Sequence, residues 1–124
     1  FPHTRPVRSA FGKAISEYQG VTFPLAESAM ELHAAHLMGL NAALLLDRGE
    51  AAIKELSMAK AYAVEAGVRA IDRAIQTHGA MGFTNEVGLA EAYNVVRLVN
   101  VADGTNEILR RTIVHRLLGG DREL

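Results

Sequence analysis

The 124-residue sequence contains no cysteine. That excludes a disulfide frame and any thiolate metal site. Tryptophan is absent too, and aromatic residues make up only 6% of the chain. A core must therefore come from Ala, Leu, Val and Ile, whose small side chains suit close helix–helix packing. Neither sign of charge dominates. Thirteen basic residues stand against 14 acidic ones, a net charge of −1. There is thus no electrostatic case for nucleic acid or an anionic membrane as partner. No apolar run approaches the ~20 residues that span a bilayer. No signal-peptide pattern opens the chain. An initiator Met is missing as well, and Phe1-Pro2-His3-Thr4 reads as the interior of a longer protein.

What the chain has in abundance is apolar side chains, 49% of all residues, at helical spacing. Residues 1–20 are broken by Pro2, Pro6, Gly12 and Gly20 and read as a helix end or a loop. Leu25, Ala29, Leu32, Leu40 and Leu44 predict a first helix over about 21–46, with Pro24 confined to its first turn. With Ala34, Ala35, Ala42 and Ala43 added, that helix is apolar on most sides, as a helix buried among several neighbours would be. Gly49 stands in the usual terminating position. Val64, Val68, Ile71 and Ile75 form one stripe of a second helix over about 50–77, where Glu65 and Arg69 are spaced as an i,i+4 ion pair. A glycine-rich turn over 79–88 leads to a third helix, about 89–101. A fourth runs over 106–118 with Thr105 as its N-cap and Ile108, Leu109, Ile113 and Leu117 as its core stripe. No strand pattern emerges. The expectation is a single all-α domain over 1–124, an antiparallel four-helix bundle.

Chemistry concentrates at Val101-Ala102-Asp103-Gly104-Thr105-Asn106-Glu107-Ile108. A carboxylate ends an apolar run, a glycine beside it lets a ligand approach the backbone, and a helix N-terminus follows with free N–H groups. Asp before Gly is equally a common turn pair, and that reading stands beside the reactive one. Gly79-x-x-Gly82 follows a helix, so it is no dinucleotide fingerprint, which needs a preceding strand. It is either a helix stop or a backbone surface open to a large ligand. His33 and His36 share a helix face, but no Glu-x-x-His frame accompanies them, so no metal site is expected. His78 suits a helix C-terminus. Arg110 and Arg111, early in a helix, run against its dipole, which hints at an acidic partner, although a solvated pair is the favoured reading.

Four motifs in order resemble the acyl-CoA dehydrogenase family, C-terminal helical domain. Arg8-x-x-Phe11-Gly12-Lys13 is similar to its Arg-x-x-Phe-Gly signature, and Gln19 falls where the family carries a Gln at the next helix start. Gln76-Thr77-His78-Gly79-Ala80-Met81-Gly82-Phe83 resembles Gln-x-x-Gly-Gly-x-Gly-Phe/Tyr. Asp103-Gly104-Thr105-Asn106-Glu107-Ile108 resembles Glu-Gly-Thr-x-x-Ile. The resemblance covers nearly everything from Arg8 to Leu118.

The resemblance implies a three-part flavoenzyme in which an N-terminal helical domain and a middle β domain precede this one. It implies FAD bound at subunit contacts of a homodimer or homotetramer, an acyl-CoA substrate, and an electron-transferring flavoprotein as electron acceptor. The implied compartment is the cytoplasm, or the mitochondrial matrix in a eukaryote. By position, Arg8 would meet the FAD pyrophosphate of a neighbouring subunit, with Phe11 in the same signature. Gln19 and Gln76, Thr77, His78, Gly79 and Ala80 would line its adenosine–phosphate part. Thr105 and Glu107 would contact FAD from the helix start. Asp103 would be the base that removes the α-proton of the thioester, in an apolar pocket that raises its proton affinity, and Gly104 would line the acyl path. The family's usual base is Glu, so Asp103 is one methylene short. Other members carry the base on a preceding helix, and a subunit that binds FAD without catalysing is a further alternative. Ala80 replaces a glycine, Asn94-Val95-Val96-Arg97 lacks the frequent Arg-Asp, and Ala102 replaces a frequent aromatic. From a different class, the same helices fit a non-catalytic module that drives subunit association.

Overall fold

The structure is a computed structural model that describes residues 8–123. Four α-helices carry the fold: α1 (Gln19–Asp47), α2 (Ile53–His78), α3 (Leu89–Val99) and α4 (Asn106–Leu118). The all-α class expected from the spacing is what forms. Helix α2 is the shared element. Helix α1 packs along one side of it, and α3 and α4 pack against the remainder. On α1, Ser28, Ala35 and Ala42, seven residues apart, are buried, and α2 buries Ala61 and Ala66 among its packed faces. Small side chains at this seam let the two helices approach closely.

Helix α1 differs from its sequence reading in two ways. It begins at Gln19, so Pro24 lies in the second turn, where its ring removes the N–H that would bond the Gly20 carbonyl. Its large apolar residues are also not enclosed: Phe23, Leu25, Leu32, Leu40 and Leu44 remain exposed. Among the described residues, α2 and the short segment before α1 make its main contacts. By length and composition α1 could cross a bilayer, against the expectation from run length. Its contact with α2 is nonetheless ionic in part. Glu31 accepts from Arg69 Nε at 2.8 Å and from Arg73 Nη2 at 3.2 Å, while Arg73 Nη1 donates to Ser28 Oγ at 3.2 Å. Those two guanidiniums, Arg73 before Arg69, hold the Glu31 carboxyl below the usual glutamate range.

The expected Glu65–Arg69 pair does not form. Arg69 turns to Glu31 on α1, and Glu65 accepts from Arg110 Nη2 at 2.7 Å and Asn106 Nδ2 at 3.3 Å on α4. Tertiary partners win over the local pair because each ties two helices together. Arg110 is therefore not the solvated side chain of the favoured reading: it has an acidic partner, Glu65.

The N-terminal stretch holds a correction to the absence of strands. Ser9–Ala10 (β1) and Lys13–Ala14 (β2) pair antiparallel, followed by a 3-10 turn at Ile15–Glu17. Phe11 and Gly12 join the strands with φ of 53° and 84°, the left-handed pair that a two-residue hairpin requires. Tyr18 Oη donates to the Ala10 carbonyl at 2.8 Å, fixing the hairpin to the start of α1.

Candidate functional site

Two groups of the residues singled out in the sequence come together, at separate places along α2. The first lies at its C-terminal end. Arg8 Nη1 donates to the carbonyls of Thr77 at 3.4 Å and His78 at 3.2 Å. These are the last carbonyls of α2, beyond which the α-helical ladder stops, and a cation suits that end of the dipole. The chain leaves the helix through Gly79 at φ 64° and ψ −142°, a conformation closed to side-chain-bearing residues at acceptable cost. A Cβ there would also stand 3.1 Å from Arg8 Nη1. Arg8, Gly20, Arg73, Gln76, Thr77 and Gly79 line one cleft of about 440 Å³, with Asp72 on its wall. Gln76 and Thr77 are exposed.

The neighbouring candidates are less tightly placed. Gln19 opens α1 and is exposed, next to Gly20 of the cleft. Ala80 is exposed in the 3-10 turn Gly79–Phe83. The His78 ring turns back on its own helix, its Nδ1–H donating to the Ala74 carbonyl at 2.7 Å. Phe11, at the hairpin tip, is 97% exposed despite its left-handed backbone. The tip therefore offers a ring that the described residues leave uncovered.

The second group is the break between α3 and α4. Thr105 caps α4 as its position suggested: its Oγ1 accepts from Ile108 N at 3.2 Å, which leaves its hydroxyl proton free to donate. Thr105, Asn106, Glu107, Arg97 and Glu65 line a second cleft of about 260 Å³. Asn106 is buried. Its Nδ2 donates to Asn100 Oδ1 at 2.6 Å as well as to Glu65, and its own Oδ1 has no donor. Arg110 first, then the Asn106 amide, hold the Glu65 carboxyl below the usual range.

Asp103 is exposed at this break, in left-handed backbone at φ 54°, followed by Gly104 at φ 93°. The turn reading of Asp103 is thus what its backbone adopts. This chain alone does not enclose the carboxylate in apolar surface. Val95, Leu98 and Val101, which precede it, are exposed. Among the described residues the carboxylate forms no ion pair.

The sequence reading missed Lys60. From α2 its Nζ donates to the carbonyls of Ala102 at 2.6 Å, Asp103 at 3.3 Å and Gly104 at 2.7 Å. A lysine in an Ala-rich helix carries no local signal of such a task. Also missed was Lys54, whose side chain is fully buried at the start of α2. It donates to Asp121 Oδ1 at 2.8 Å, to the Asp121 carbonyl at 3.2 Å and to the Glu123 carbonyl. Asp121 raises its proton affinity above the ordinary lysine value. His33 and His36 are exposed, and no group of three metal-ligating side chains forms among the described residues.

The donors at the end of α2 suit an extended diphosphate. A guanidinium is anchored by one nitrogen with others left to donate, a glycine leaves the backbone bare beside it, and two exposed polar side chains flank it. The free Thr105 proton and the N–H groups of the α4 start suit a second polar contact.

Known proteins resemble this chain in sequence and fold. The family model described as "Acyl-CoA dehydrogenase, C-terminal domain" matches residues 6–118. A probable acyl-CoA dehydrogenase of Bacillus subtilis is 40% identical over 111 residues, covering 90% of this chain and 29% of the relative. A 3-(aryl)acrylate reductase of Clostridium sporogenes is 36% identical over the same shares. A solved FAD complex of PigA superposes with a TM-score of 0.85 at 30% identity, over 89% of this chain and 29% of that one. The chain thus spans under a third of the length of the proteins it matches. With the family model matched over residues 6–118 and the helices superposing on a solved member, the chain belongs to the acyl-CoA dehydrogenase family, as its C-terminal helical domain.

Proposed function

We propose that this domain supplies the flavin-holding and proton-abstracting parts of an enzyme that dehydrogenates an acyl-CoA thioester between its α and β carbons. In that protein an N-terminal helical domain and a middle β domain would precede it. The observation that carries the reading is the convergence of Arg8 with Gln76, Thr77 and Gly79 in one cleft, across 69 residues of sequence.

Arg8 would pair with the FAD pyrophosphate of a neighbouring subunit, because a guanidinium makes charge-assisted bonds to phosphate. Phe11, at the exposed hairpin tip, and Gln19 would flank the same molecule, with Gln76, Thr77, His78, Gly79 and Ala80 along its adenosine–phosphate part. Thr105 and Glu107 would contact FAD from the start of α4. FAD, when bound, would supply the acceptor for the β-hydrogen as hydride. Asp103 would take the α-proton onto its carboxylate; the Cα–H electron pair becomes the π bond as the Cβ–H bond breaks and its hydrogen leaves with that bond's pair as hydride. Gly104 leaves room for the thioester beside that carboxylate. Hydrogen bonds to the thioester oxygen would stabilise the charge that develops there. The rest of the protein and the neighbouring subunit would cover Val95, Leu98 and Val101 and dry the site, favouring proton transfer to a carboxylate. Electrons would pass on to an electron-transferring flavoprotein, in the cytoplasm or the mitochondrial matrix. The 124-residue piece alone would not turn over acyl-CoA.

A second reading rests on the exposed apolar face of α1, which includes Leu25, Leu32, Leu40 and Leu44. On it, the domain chiefly drives subunit association, and the base is carried elsewhere or lacking. Asp103→Asn in the full-length, flavin-loaded protein separates the two. Loss of flavin bleaching by saturating acyl-CoA, with flavin retained, supports Asp103 as base. Bleaching at the parent rate assigns the base elsewhere.

A further inference from the structure

The residue that holds Asp103 in place is not one of its sequence neighbours. We infer that Lys60 is a positioning residue for proton abstraction, resting on the reading of Asp103 as the base.

Asp103 has an unfavourable backbone. Left-handed φ is disfavoured for a residue with a Cβ, though less for Asp than for most, and Asp103 is followed by a glycine that adds no stiffness of its own. The carbonyls of Ala102, Asp103 and Gly104 fall past the end of α3, where no helical N–H meets them. All three accept from the one ammonium of Lys60. An ammonium has three protons, so the group is saturated by three successive carbonyls.

From the other side, Asn106 N donates to the Asn100 carbonyl at 3.1 Å, and its amide meets Asn100 Oδ1, closing the loop at its base. Lys60 holds the tip. It grips the Asp103 backbone while forming no ion pair with the Asp103 carboxylate. The carboxylate is therefore placed without being tied up. This division of labour suits a base whose side chain is one methylene short, since about 1 Å of misplacement can cost ~10²-fold in rate. A short side chain has little freedom to correct an error in its own backbone.

The experiment uses the full-length flavoprotein and the variants Lys60→Met, Lys60→Arg and Asp103→Asn. Anaerobic flavin bleaching at saturating acyl-CoA gives the rate, titration gives the substrate Kd, and hydrogen exchange reports the amides of residues 100–106. Lys60→Met is expected to keep its flavin and its Kd, to bleach ~10²-fold more slowly, and to exchange faster in 100–106 but not in α2. Lys60→Arg, which restores a cation with several donors, is expected to recover at least tenfold of that loss. A Lys60→Met rate within threefold of the parent overturns the inference. So does Lys60→Arg as slow as Lys60→Met, or unchanged exchange in 100–106. If Lys60→Met and Lys60→Arg both lose the fold, Lys60 supports the bundle and not the loop, and the inference also fails. Asp103→Asn keeps the two claims apart. Bleaching at the parent rate in that variant removes Asp103 as base, whereas a silent Asp103→Asn beside an unaffected Lys60→Met removes Lys60 alone.

Discussion

Arg8 and Gly79 are matched by subtraction: the guanidinium lies where a side chain at residue 79 would be, 3.1 Å from the Cβ position that glycine leaves empty. The same glycine carries a backbone conformation that only glycine adopts freely. Gly79→Ala is therefore expected to act twice. It should cost about 1–3 kcal/mol of stability from backbone strain, and it should displace Arg8 from the Thr77 and His78 carbonyls. In the full-length protein, thermal melting reads the first effect. The ratio of flavin to protein after gel filtration reads the second. Arg8→Lys should lower flavin content with little change in melting temperature, because an ammonium cannot replace the guanidinium fork.

Gly82 tests packing without a ligand. It is buried, and a Cβ there would stand 2.7 Å from the Ile75 carbonyl oxygen and 3.0 Å from Ile75 Cα. Backbone cannot swing aside as a side chain can. Gly82→Ala should push the 3-10 turn off α2 at a cost of about 1–3 kcal/mol. Denaturant titration checks this, with the largest loss of amide protection expected over residues 79–83.

Thr105 has two tasks that substitution can separate. Its oxygen caps α4, and its proton is free. Thr105→Ser should be close to neutral in stability. Thr105→Ala should cost about 0.5–2 kcal/mol through loss of the cap, and should also weaken flavin retention. Thr105→Asp keeps a capping acceptor without the hydroxyl proton. It should hold stability while still losing flavin, a combination measured by melting temperature beside flavin content.

Two carboxylates set the acid limit. Arg73 and Arg69 lower Glu31, and Arg110 lowers Glu65, in the folded state. Their stabilisation is complete above the ordinary glutamate range, about 4.3. It is lost as pH falls through that range towards their lower folded values. Melting temperature should be flat from about pH 7 to 5 with respect to these groups and fall below it. Glu31→Gln should lower the pH 7 melting temperature and flatten part of that acid decline.

The sequence carried those parts of the structure whose cause is local. Thr105 announces α4 because a hydroxyl before an apolar period is itself the cap. Gly49 stops α1 because its left-handed φ of 83° needs no Cβ. Of the two readings of Asp103, the turn residue is what its backbone adopts, at φ 54°; the reactive carboxylate remains a proposal. What stayed hidden depends on partners distant in sequence. Glu65 and Arg69 look paired until α1 and α4 offer each a better partner. Lys60 meets carbonyls more than 40 residues away, and nothing in its own helix marks it. The hairpin at 9–14 has strands of two residues each, too short for alternation to show.

Helix α2 also works as a ruler. Lys60 and His78 lie 18 residues apart on it, so the Asp103 loop and the Arg8 cleft sit about 27 Å apart along its axis at 1.5 Å per residue. Because both are referenced to the same rod, an insertion of one residue between them would lengthen the spacing by about 1.5 Å and turn one group about 100° from the other. Even if each cluster kept every contact of its own, their mutual bearing would be lost, and with it any assembly that must dock on both at once.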